Sequence, residues 1–319
     1  MGDHLLTIII TFLNEGDEVG NTLDSIISTA VTNPNIILIN DASDDEYPYS
    51  NILLKYNNVT YIKNETRLGV ASCRNMGVNL CTSPYFLLLD AHMRFYDQGW
   101  DNKLIKVLNE NHNSLICSQT KVLRKNNEGN VYADVPSKQH FGAYIDPKDL
   151  SARWNKYDIC EQDDIIEIPC VLGAAYAMNK KYWEYLRGLD GLLSYGMDEQ
   201  LLSIKVWLEG GRCLLIKKFI VGHVYRDVFP YHISNKELIY NRLLIAELFF
   251  PSVIKKKIFS LYQVYSNELY TESNIMLKKN KQYIQMYKKY LKSIFKNNIS
   301  FFLKKNNKIN TKNNSLSSS

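Results

Sequence analysis

The chain of 319 residues contains no long hydrophobic run. Its opening apolar stretch, Leu5 to Ile10, covers only six residues, whereas a signal-peptide core or a membrane-spanning helix needs more. No other stretch reaches spanning length, and the mean hydropathy of -0.25 argues against a multi-span membrane protein. These absences indicate an ordinary globular protein.

Paired cysteines and a phosphate loop are also missing. The six cysteines include no Cys-x-x-Cys pair, and a chain of 37.0 kDa can bury a core without disulfides, so we expect free thiols in a reducing, cytoplasmic compartment. Between Thr7 and Asn21 there is no glycine-rich phosphate loop, which a nucleotidyltransferase built on a similar sheet would normally contain. That enzyme class is therefore disfavoured.

Acidic residues are scarce in the last part of the chain. Residues 251–319 carry 14 lysines and two glutamates, although the net charge of the whole chain is only +5, so the preceding body is acidic. An acidic body without a recognised DNA or RNA module argues against nucleic-acid binding. Ile284, Tyr287, Leu291 and Phe295 follow helical spacing among lysines, which predicts amphipathic helices. This basic tail either provides peripheral contact with an anionic membrane or simply keeps the protein soluble.

The first hundred residues alternate short β-branched apolar runs with segments of helical spacing, which is typical of parallel strands joined by crossover helices. Predicted strands cover residues 7–12, 35–39, 59–62 and 85–89, and a predicted helix covers 70–80. In such a sheet ligands bind at the carboxyl ends of the strands, so the polar segments that follow these strands should line the site.

The sequence pattern is less regular in the later segments. Residues 126–164 are polar and irregular, and we expect them to cover the substrate side. Residues 165–179 have a strand pattern, 198–208 a helical pattern and 213–216 another strand pattern. Trp207 is expected to belong to the core.

Two groups of residues suggest chemistry. Asp90 and His92 stand one residue apart at the end of a buried strand, where a carboxylate and an imidazole suit a divalent cation such as Mn²⁺ or Mg²⁺, and His223 could add a third ligand. Asp198 and Glu199 begin a helix, whose dipole stabilises anions that can accept a proton. The competing interpretations are a surface turn for Asp90 and His92, a hydrogen-bonded histidine for His223, and plain helix caps for the two acids.

The order of motifs resembles glycosyltransferase family 2 and, in detail, the catalytic domain of polypeptide N-acetylgalactosaminyltransferases. The resemblance covers residues 6–232. It is carried by segments in the family's order: Thr11 to Glu15, Ile39 to Asp44, Arg67 to Gly69, Arg74 with Asn75, Leu88 to His92, Gly173 to Ala175, Tyr195 to Gly211, Val221 to Arg226, and Pro230 with Tyr231.

The resemblance implies a role for each matching residue. Asp90, His92 and His223 would hold the metal. Arg226 and Tyr231 would grip the diphosphate. Asp41 and Arg74 would orient the uridine, with Thr11 and Glu15 in the same pocket, while Gly173, Ala174 and Tyr195 would lie beside the sugar. The competing interpretations are a helix-surface role for Arg74 and a turn role for Asp41.

One departure from the family pattern affects the mechanism. The polypeptide transferases are retaining enzymes with glutamate followed by asparagine at the helix start, where this chain has Asp198 and Glu199. Inverting relatives place an acid at the second position, so we favour inversion with Glu199 as the base and keep Asp198 as the alternative.

Together these features predict an α/β protein of the GT-A type, a Rossmann-like, mixed and mainly parallel sheet flanked by helices. Residues 1–235 would form the catalytic domain, 236–300 a helical extension, and 301–319 a disordered tail rich in Lys, Asn and Ser. No membrane anchor or lectin domain is seen, so the expectation is a cytoplasmic, bacterial enzyme.

The expected activity is transfer of a hexose or N-acetylhexosamine from a UDP-sugar to a glycan, lipid-linked or peptide acceptor, in surface polysaccharide or glycoconjugate synthesis. The alternative is a weakly catalytic protein that binds glycans or nucleotide sugars on the same fold. Retention of all the predicted ligands and acids argues against that alternative.

Overall fold

A computed structural model describes residues 4–126, 128–134, 140–158 and 160–316. The strands are β1 (Leu6–Phe12), β2 (Asn35–Asn40), β3 (Val59–Lys63), β4 (Tyr85–Asp90), β5 (Met93–Phe95), β6 (Ser114–Lys125), β7 (Val131–Ala133), β8 (Ala143–Ile145), β9 (Ala152–Trp154), β10 (Ile165–Glu167), β11 (Ala175–Asn179) and β12 (Arg212–Val224). The α-helices are α1 (Glu18–Thr29), α2 (Ile52–Lys55), α3 (Val70–Leu80), α4 (Trp100–Glu110), α5 (Lys180–Tyr185), α6 (Asp198–Glu209), α7 (Asn235–Phe249), α8 (Ser252–Tyr265), α9 (Asn267–Lys279), α10 (Lys281–Ile294) and α11 (Ile299–Leu316).

The main sheet is mixed and mainly parallel, as predicted. Its strand order is β10-β12-β6-β11-β4-β1-β2-β3, with β5 added on β12 and β7 on β6. β4, β1, β2 and β3 run parallel, and so do β6 and β12, whereas β11 runs antiparallel to both of its neighbours. β8 and β9 form a separate hairpin.

The register of the parallel strands determines where their polar ends meet. β1 is buried along its whole length, and its Thr11 pairs with Ile39 of β2 on one side and Asp90 of β4 on the other. Parallel strands that end level with one another deliver their following loops to one edge of the sheet. The polar residues after β1, β2 and β4 therefore face a common cleft.

Helices cover both faces of the sheet because the central strands are apolar on both sides. One hydrophobic cluster contains Leu23 of α1 and Leu104 of α4. The other contains Val78 of α3 and Leu201 of α6, and it continues into the C-terminal helices through Leu244 of α7. The helical extension thus shares its core with the sheet domain.

The C-terminal helices use their amphipathic face for packing within the chain. Ile284, Tyr287 and Leu291 of α10 are buried in the same cluster, and Phe295 packs against it. The apolar stripe that suggested membrane contact is therefore already covered. Among the described residues, no helix is both long enough and apolar enough to cross a membrane.

Two predictions from the sequence differ from the structure. Residues from 301 onward were expected to be disordered, but α11 extends to Leu316, and its Phe302, Asn306 and Ile309 are buried. Burial of that apolar face against β8 and α6 stabilises a helix that polar composition alone would not predict. The pattern at 165–179 is two strands with an intervening segment, since β10 ends at Glu167 and β11 begins at Ala175.

Other expectations are confirmed. α3 covers the predicted residues, and Trp207 is a core residue whose indole Nε1 donates to the carbonyl of Pro169 at 3.0 Å. All six cysteines are free thiols, of which Cys160 is exposed. The irregular segment 126–164 contains β7, β8 and β9 among its described residues, whereas residues 127, 135–139 and 159 lie outside them.

Candidate functional site

A cleft opens at the carboxyl ends of β1, β2 and β4 and receives residues from distant parts of the chain. Of the residues predicted for the site, the following line it: Thr11, Glu15, Asp41, Arg74, Asp90, His92, Ala174, Tyr195, Asp198, Glu199, His223, Arg226 and Tyr231. Gly173 lies just behind it, against the side chain of Glu199. The tertiary structure thus brings the predicted set together.

Asp90, His92 and His223 form a compact group. His223 lies near the end of β12, which pairs with β5 immediately after His92, so the two imidazoles meet across the sheet. Their Nε2 atoms are 3.0 Å apart, and Asp90 Oδ2 is 3.6 Å from His223 Nε2. One ligand atom from each residue lies within 4.8 Å of the others.

This group fits a divalent cation. Octahedral coordination with bonds of about 2.1 Å places neighbouring ligand atoms about 3 Å apart, close to the observed separations. Burial lowers the pKa of His223, with Asp90 opposing, so the imidazole is neutral and keeps a lone pair for a metal. His223 Nδ1 is buried without a hydrogen-bond partner among the described residues, and its Nε2 atom faces Asp90 and His92.

The electrostatics of Asp90 also suit a metal ligand. Burial alone would raise its pKa, but the adjacent His223 imidazole and the positively charged Arg74 guanidinium hold the pKa well below the usual range. Asp90 is therefore ionised at neutral pH. Its backbone N–H donates to the carbonyl of Ala174 at 3.1 Å, which fixes the carboxylate at the end of β4.

Glu15 links the metal group to Arg226. The Arg226 guanidinium makes two hydrogen bonds to the Glu15 carboxylate, one of them at 3.1 Å, and His92 Nδ1 lies 3.3 Å from Glu15 Oε2. Burial opposes ionisation of Glu15, but His92 and Arg226 hold its pKa below the usual range. Glu15 therefore positions both a potential metal ligand and a cation that faces the cleft.

Arg74 is buried and joins three elements, which contradicts a helix-surface role. Its Nη2 donates to Asp90 Oδ1 at 2.7 Å, while its Nη1 donates to Asp198 and to the Tyr176 hydroxyl, the latter at 3.1 Å. Only 4% of its side chain is exposed. Arg74 thus ties the carboxylate at the end of β4 to the carboxylate at the start of α6.

Asp41 has a defined local role at the cleft. Its carboxylate accepts from the backbone N–H groups of Leu68 and Gly69 at 2.7 and 2.8 Å and from Asn64 Nδ2 at 2.9 Å. Gly69 has φ of 87°, and a Cβ there would overlap the backbone of Ser194. Asp41 therefore holds the loop before α3 against the segment that leads into α6.

Asp198 and Glu199 have different environments although they are adjacent. Asp198 is buried and accepts hydrogen bonds from Arg74 and from the Tyr176 hydroxyl, the latter at 2.7 Å. Glu199 is half-buried, and burial together with Asp198 raises the pKa of its carboxyl well above the usual value. A Cβ at residue 173 would overlap Glu199 Oε1, so glycine at that position leaves room for this carboxyl group.

The structure adds cleft residues that sequence reasoning did not assign a role. Arg67 stacks on the Tyr231 ring, with 5.3 Å between guanidinium carbon and ring centroid, and donates to the carbonyl of His232 at 2.8 Å. Phe229 packs between Tyr195 and Tyr231, each 5.8 Å from it by ring centroids. In the sequence, the aromatic residues on either side of Pro230 were the only indication of this arrangement, and they do not reveal which side chains their rings contact.

Strained backbone concentrates around the cleft. Nine non-glycine residues in the described part of the chain have positive φ, and five of them lie next to or within a cleft-lining segment: Asn14, Ala42, Ala174, Ser194 and Met197. Such conformations cost free energy and persist where the surrounding structure determines them, commonly at functional sites.

Thr11 Oγ1, buried and without a hydrogen-bond partner in the described ranges, also faces this cleft.

Comparison with known proteins shows which proteins the chain resembles. The family model for Glycosyl transferase family 2 matches residues 7–181, more than half of the chain. Human polypeptide N-acetylgalactosaminyltransferase 3 is 26% identical over 259 residues, which are 76% of this chain and 40% of that protein. The human form 10 enzyme is 26% identical over 256 residues, again 76% of this chain and 41% of the relative. The chain thus spans about 40% of the length of these curated relatives.

Solved structures share the fold. GalNAc-T7, crystallised with UDP, GalNAc and Mn²⁺, superposes with a TM-score of 0.80 at 19% identity, covering 97% of this chain and 58% of that chain. TarS 1-349 of S. aureus, in complex with UDP-GlcNAc, gives a TM-score of 0.54 at 15% identity, covering 81% of this chain and 71% of that one. The architecture is therefore that of the GT-A glycosyltransferases, as the sequence motifs predicted.

Proposed function

The chain belongs to glycosyl transferase family 2, and we propose on that basis that it transfers a hexose or N-acetylhexosamine from a UDP-sugar to a glycan, lipid-linked or peptide acceptor. The observation that carries the proposal is the convergence of Asp90, His92 and His223 with Arg226 and Arg74 in one cleft. A departing diphosphate needs positive charge, which Arg226 and a cation held by the three ligands would supply, while Arg74 would hold two of the cleft carboxylates in place.

Asp90, His92 and His223 would hold Mn²⁺ or Mg²⁺ in this proposal. When bound, the cation would neutralise charge on the leaving diphosphate. Arg226, held by Glu15, would place a guanidinium on the phosphate side of the cleft, and Tyr231 would add a hydroxyl donor beside it. The presence of UDP and Mn²⁺ in the crystal structure of GalNAc-T7 supports this assignment.

The remaining cleft residues would position the nucleotide and the sugar. Thr11 and Asp41 lie toward β1 and β2, where the uridine would bind, and Thr11 Oγ1 offers an unused hydrogen-bonding group. Ala174 and Tyr195 would border the sugar. Arg74 would act through Asp90 and Asp198, because its guanidinium is already bonded to both carboxylates.

Glu199 is the better candidate for the base. Asp198 is engaged by Arg74 and Tyr176, whereas Glu199 lines the cleft with a raised pKa, which gives its carboxylate a higher affinity for the acceptor hydroxyl proton. In a direct, inverting displacement, the proton would pass from the acceptor oxygen to Glu199 as that oxygen bonds to the sugar's anomeric carbon. The bond from that carbon to the diphosphate oxygen would break at the same time.

The test measures UDP release from a panel of UDP-sugars with Mn²⁺, with and without EDTA, for wild type, Asp90→Ala and His223→Ala. His112→Ala, which removes an exposed histidine outside the cleft, is the matched control. We expect metal-dependent release from one donor, at least about 100-fold lower in both site variants because a metal ligand is lost, and unchanged in the control.

Calorimetry of UDP binding provides an independent readout that needs no acceptor. Wild type and His112→Ala should bind UDP more tightly with Mn²⁺, and the two site variants should lose this difference. If wild type neither releases UDP from any donor nor binds UDP in a metal-dependent manner, the transferase proposal is wrong.

A further inference from the structure

Helix α8 presents an apolar stripe to solvent. Val253, Leu261 and Val264 lie at helical spacing on its outer side and are 69%, 41% and 84% exposed, and the neighbouring Tyr265 is 73% exposed. The opposite side anchors the helix, since Ile258 is fully buried and the Tyr262 hydroxyl donates to the carbonyl of Asp149. Much of this outer apolar surface is therefore open to solvent in the described part of the chain.

The same surface of α8 is positively charged. Lys256 and Lys257 are exposed and form no ion pair among the described residues, and α8 contains no Asp or Glu. Lys255 of α8 lines a groove together with Lys288, Lys292 and Lys296, although Glu247 and Glu209 pair with three of these four lysines. The local charge near α8 remains positive.

We propose that the outer face of α8, formed by Val253, Lys256, Lys257, Leu261, Val264 and Tyr265, docks on the surface of a bilayer containing anionic phospholipids. An apolar stripe flanked by lysines on an exposed helix suits insertion into the membrane interface. The lysines would contact lipid phosphates, and the aromatic ring would lie at the level of the headgroups. A second copy of this chain would bring lysines onto lysines, so charge disfavours self-association through this face. This location differs from the stripe on α10, which is buried.

The experiment measures sedimentation of the full chain with vesicles of phosphatidylcholine, with or without about one third phosphatidylglycerol, and requires no sugar nucleotide. We expect binding to the anionic vesicles that weakens at high salt. Removing two lysines from the interface in Lys256→Ala/Lys257→Ala should lower the partition coefficient about 30-fold, since each lysine contributes about a factor of five. Val264→Ser should lower it about 10-fold.

Matched controls distinguish binding through α8 from nonspecific binding of exposed lysines and apolar side chains elsewhere on the protein. Lys103→Ala/Lys106→Ala removes two exposed lysines from α4, and Leu54→Ser replaces a side chain that is 86% exposed on α2. Both controls should bind like wild type. The proposal is overturned if wild type shows no preference for anionic vesicles, if the α8 variants bind like wild type, or if both lysine pairs reduce binding equally. Circular dichroism of each variant checks that it remains folded.

Discussion

Replacing Arg74 tests the buried charge network that joins β4 to α6. Its guanidinium bonds to Asp90 and Asp198 and to the hydroxyl of Tyr176, and its side chain is only 4% exposed. Arg74→Met keeps the volume but leaves two carboxylates without their cation. Breaking a buried ion pair by removing one partner costs about 3 to 5 kcal/mol. Arg74→Lys keeps the charge but loses the fork geometry, so a smaller cost of about 1.5 to 3 kcal/mol is expected.

The pH dependence of the stability lost in Arg74→Met shows whether the unpaired carboxylate charge causes the loss. The pKa of Asp90 is held below its usual range, so its contribution to stability is complete above about pH 4 and is lost as pH falls through the lower folded-state pKa. The gap between wild type and Arg74→Met should therefore be largest near neutral pH and should shrink in acid. Urea unfolding monitored by circular dichroism at several pH values measures this gap.

Two further variants sharpen the result. Arg212→Met removes an exposed arginine on β12 and should change the free energy of unfolding by less than about 0.5 kcal/mol. Asp198→Asn should recover part of the loss when combined with Arg74→Met, because one uncompensated carboxylate is removed. The reasoning is refuted if Arg74→Met is as stable as wild type, or if its deficit is equally large in acid.

Glu199→Gln should lower acceptor-dependent turnover by about 100-fold or more, because the base is lost. Gly173→Ala should lower turnover by a similar factor, because the added methyl group would displace the Glu199 carboxyl group. The KM for the donor should change little in both variants. Full turnover in Glu199→Gln together with loss in Asp198→Asn would instead assign the base to Asp198. Lys205 is buried and donates to the Leu186 carbonyl at 2.9 Å, and burial lowers its pKa to about 7. The unfolded state therefore binds more protons above pH 7, so wild type should gain about 2 kcal/mol of stability relative to Lys205→Met between pH 7 and 9. Urea unfolding of both proteins at several pH values measures this gain. If the free energies of unfolding of wild type and Lys205→Met change with pH in the same way, the Lys205 ammonium stays charged in the folded protein and the prediction is wrong.

Local patterns were sufficient for the elements that position the site. The β-branched run of β1, the spacing of α3 and the abrupt end of β4 at Asp90 are properties of contiguous residues, so periodicity and polarity could predict them. Asp90 with His92, and Asp198 with Glu199, are likewise visible as neighbours in the sequence. The ordered motifs then indicated the family and the GT-A fold, which the comparisons confirm.

Contacts between distant residues were not predictable in this way. Arg74 and Asp198 are 124 positions apart, and Arg226 and Glu15 are 211 apart, so no local pattern specifies their hydrogen bonds. The sequence motifs predicted that Arg74 orients the uridine, whereas in the structure its guanidinium bonds to two carboxylates, Asp90 at the end of β4 and Asp198 at the start of α6. The overlap that any side chain at residue 173 would produce with Glu199 is also a property of packing alone.

The C-terminal helices illustrate the same division. The sequence by itself determined that lysines and apolar residues alternate at helical spacing, but it could not determine which apolar stripe is covered. Tertiary packing buries the stripe on α10, folds residues 299–316 into a helix against the body, and leaves the stripe on α8 exposed. The physical reason is that helical periodicity is set by each segment's own residues, whereas burial depends on surfaces contributed by the rest of the chain.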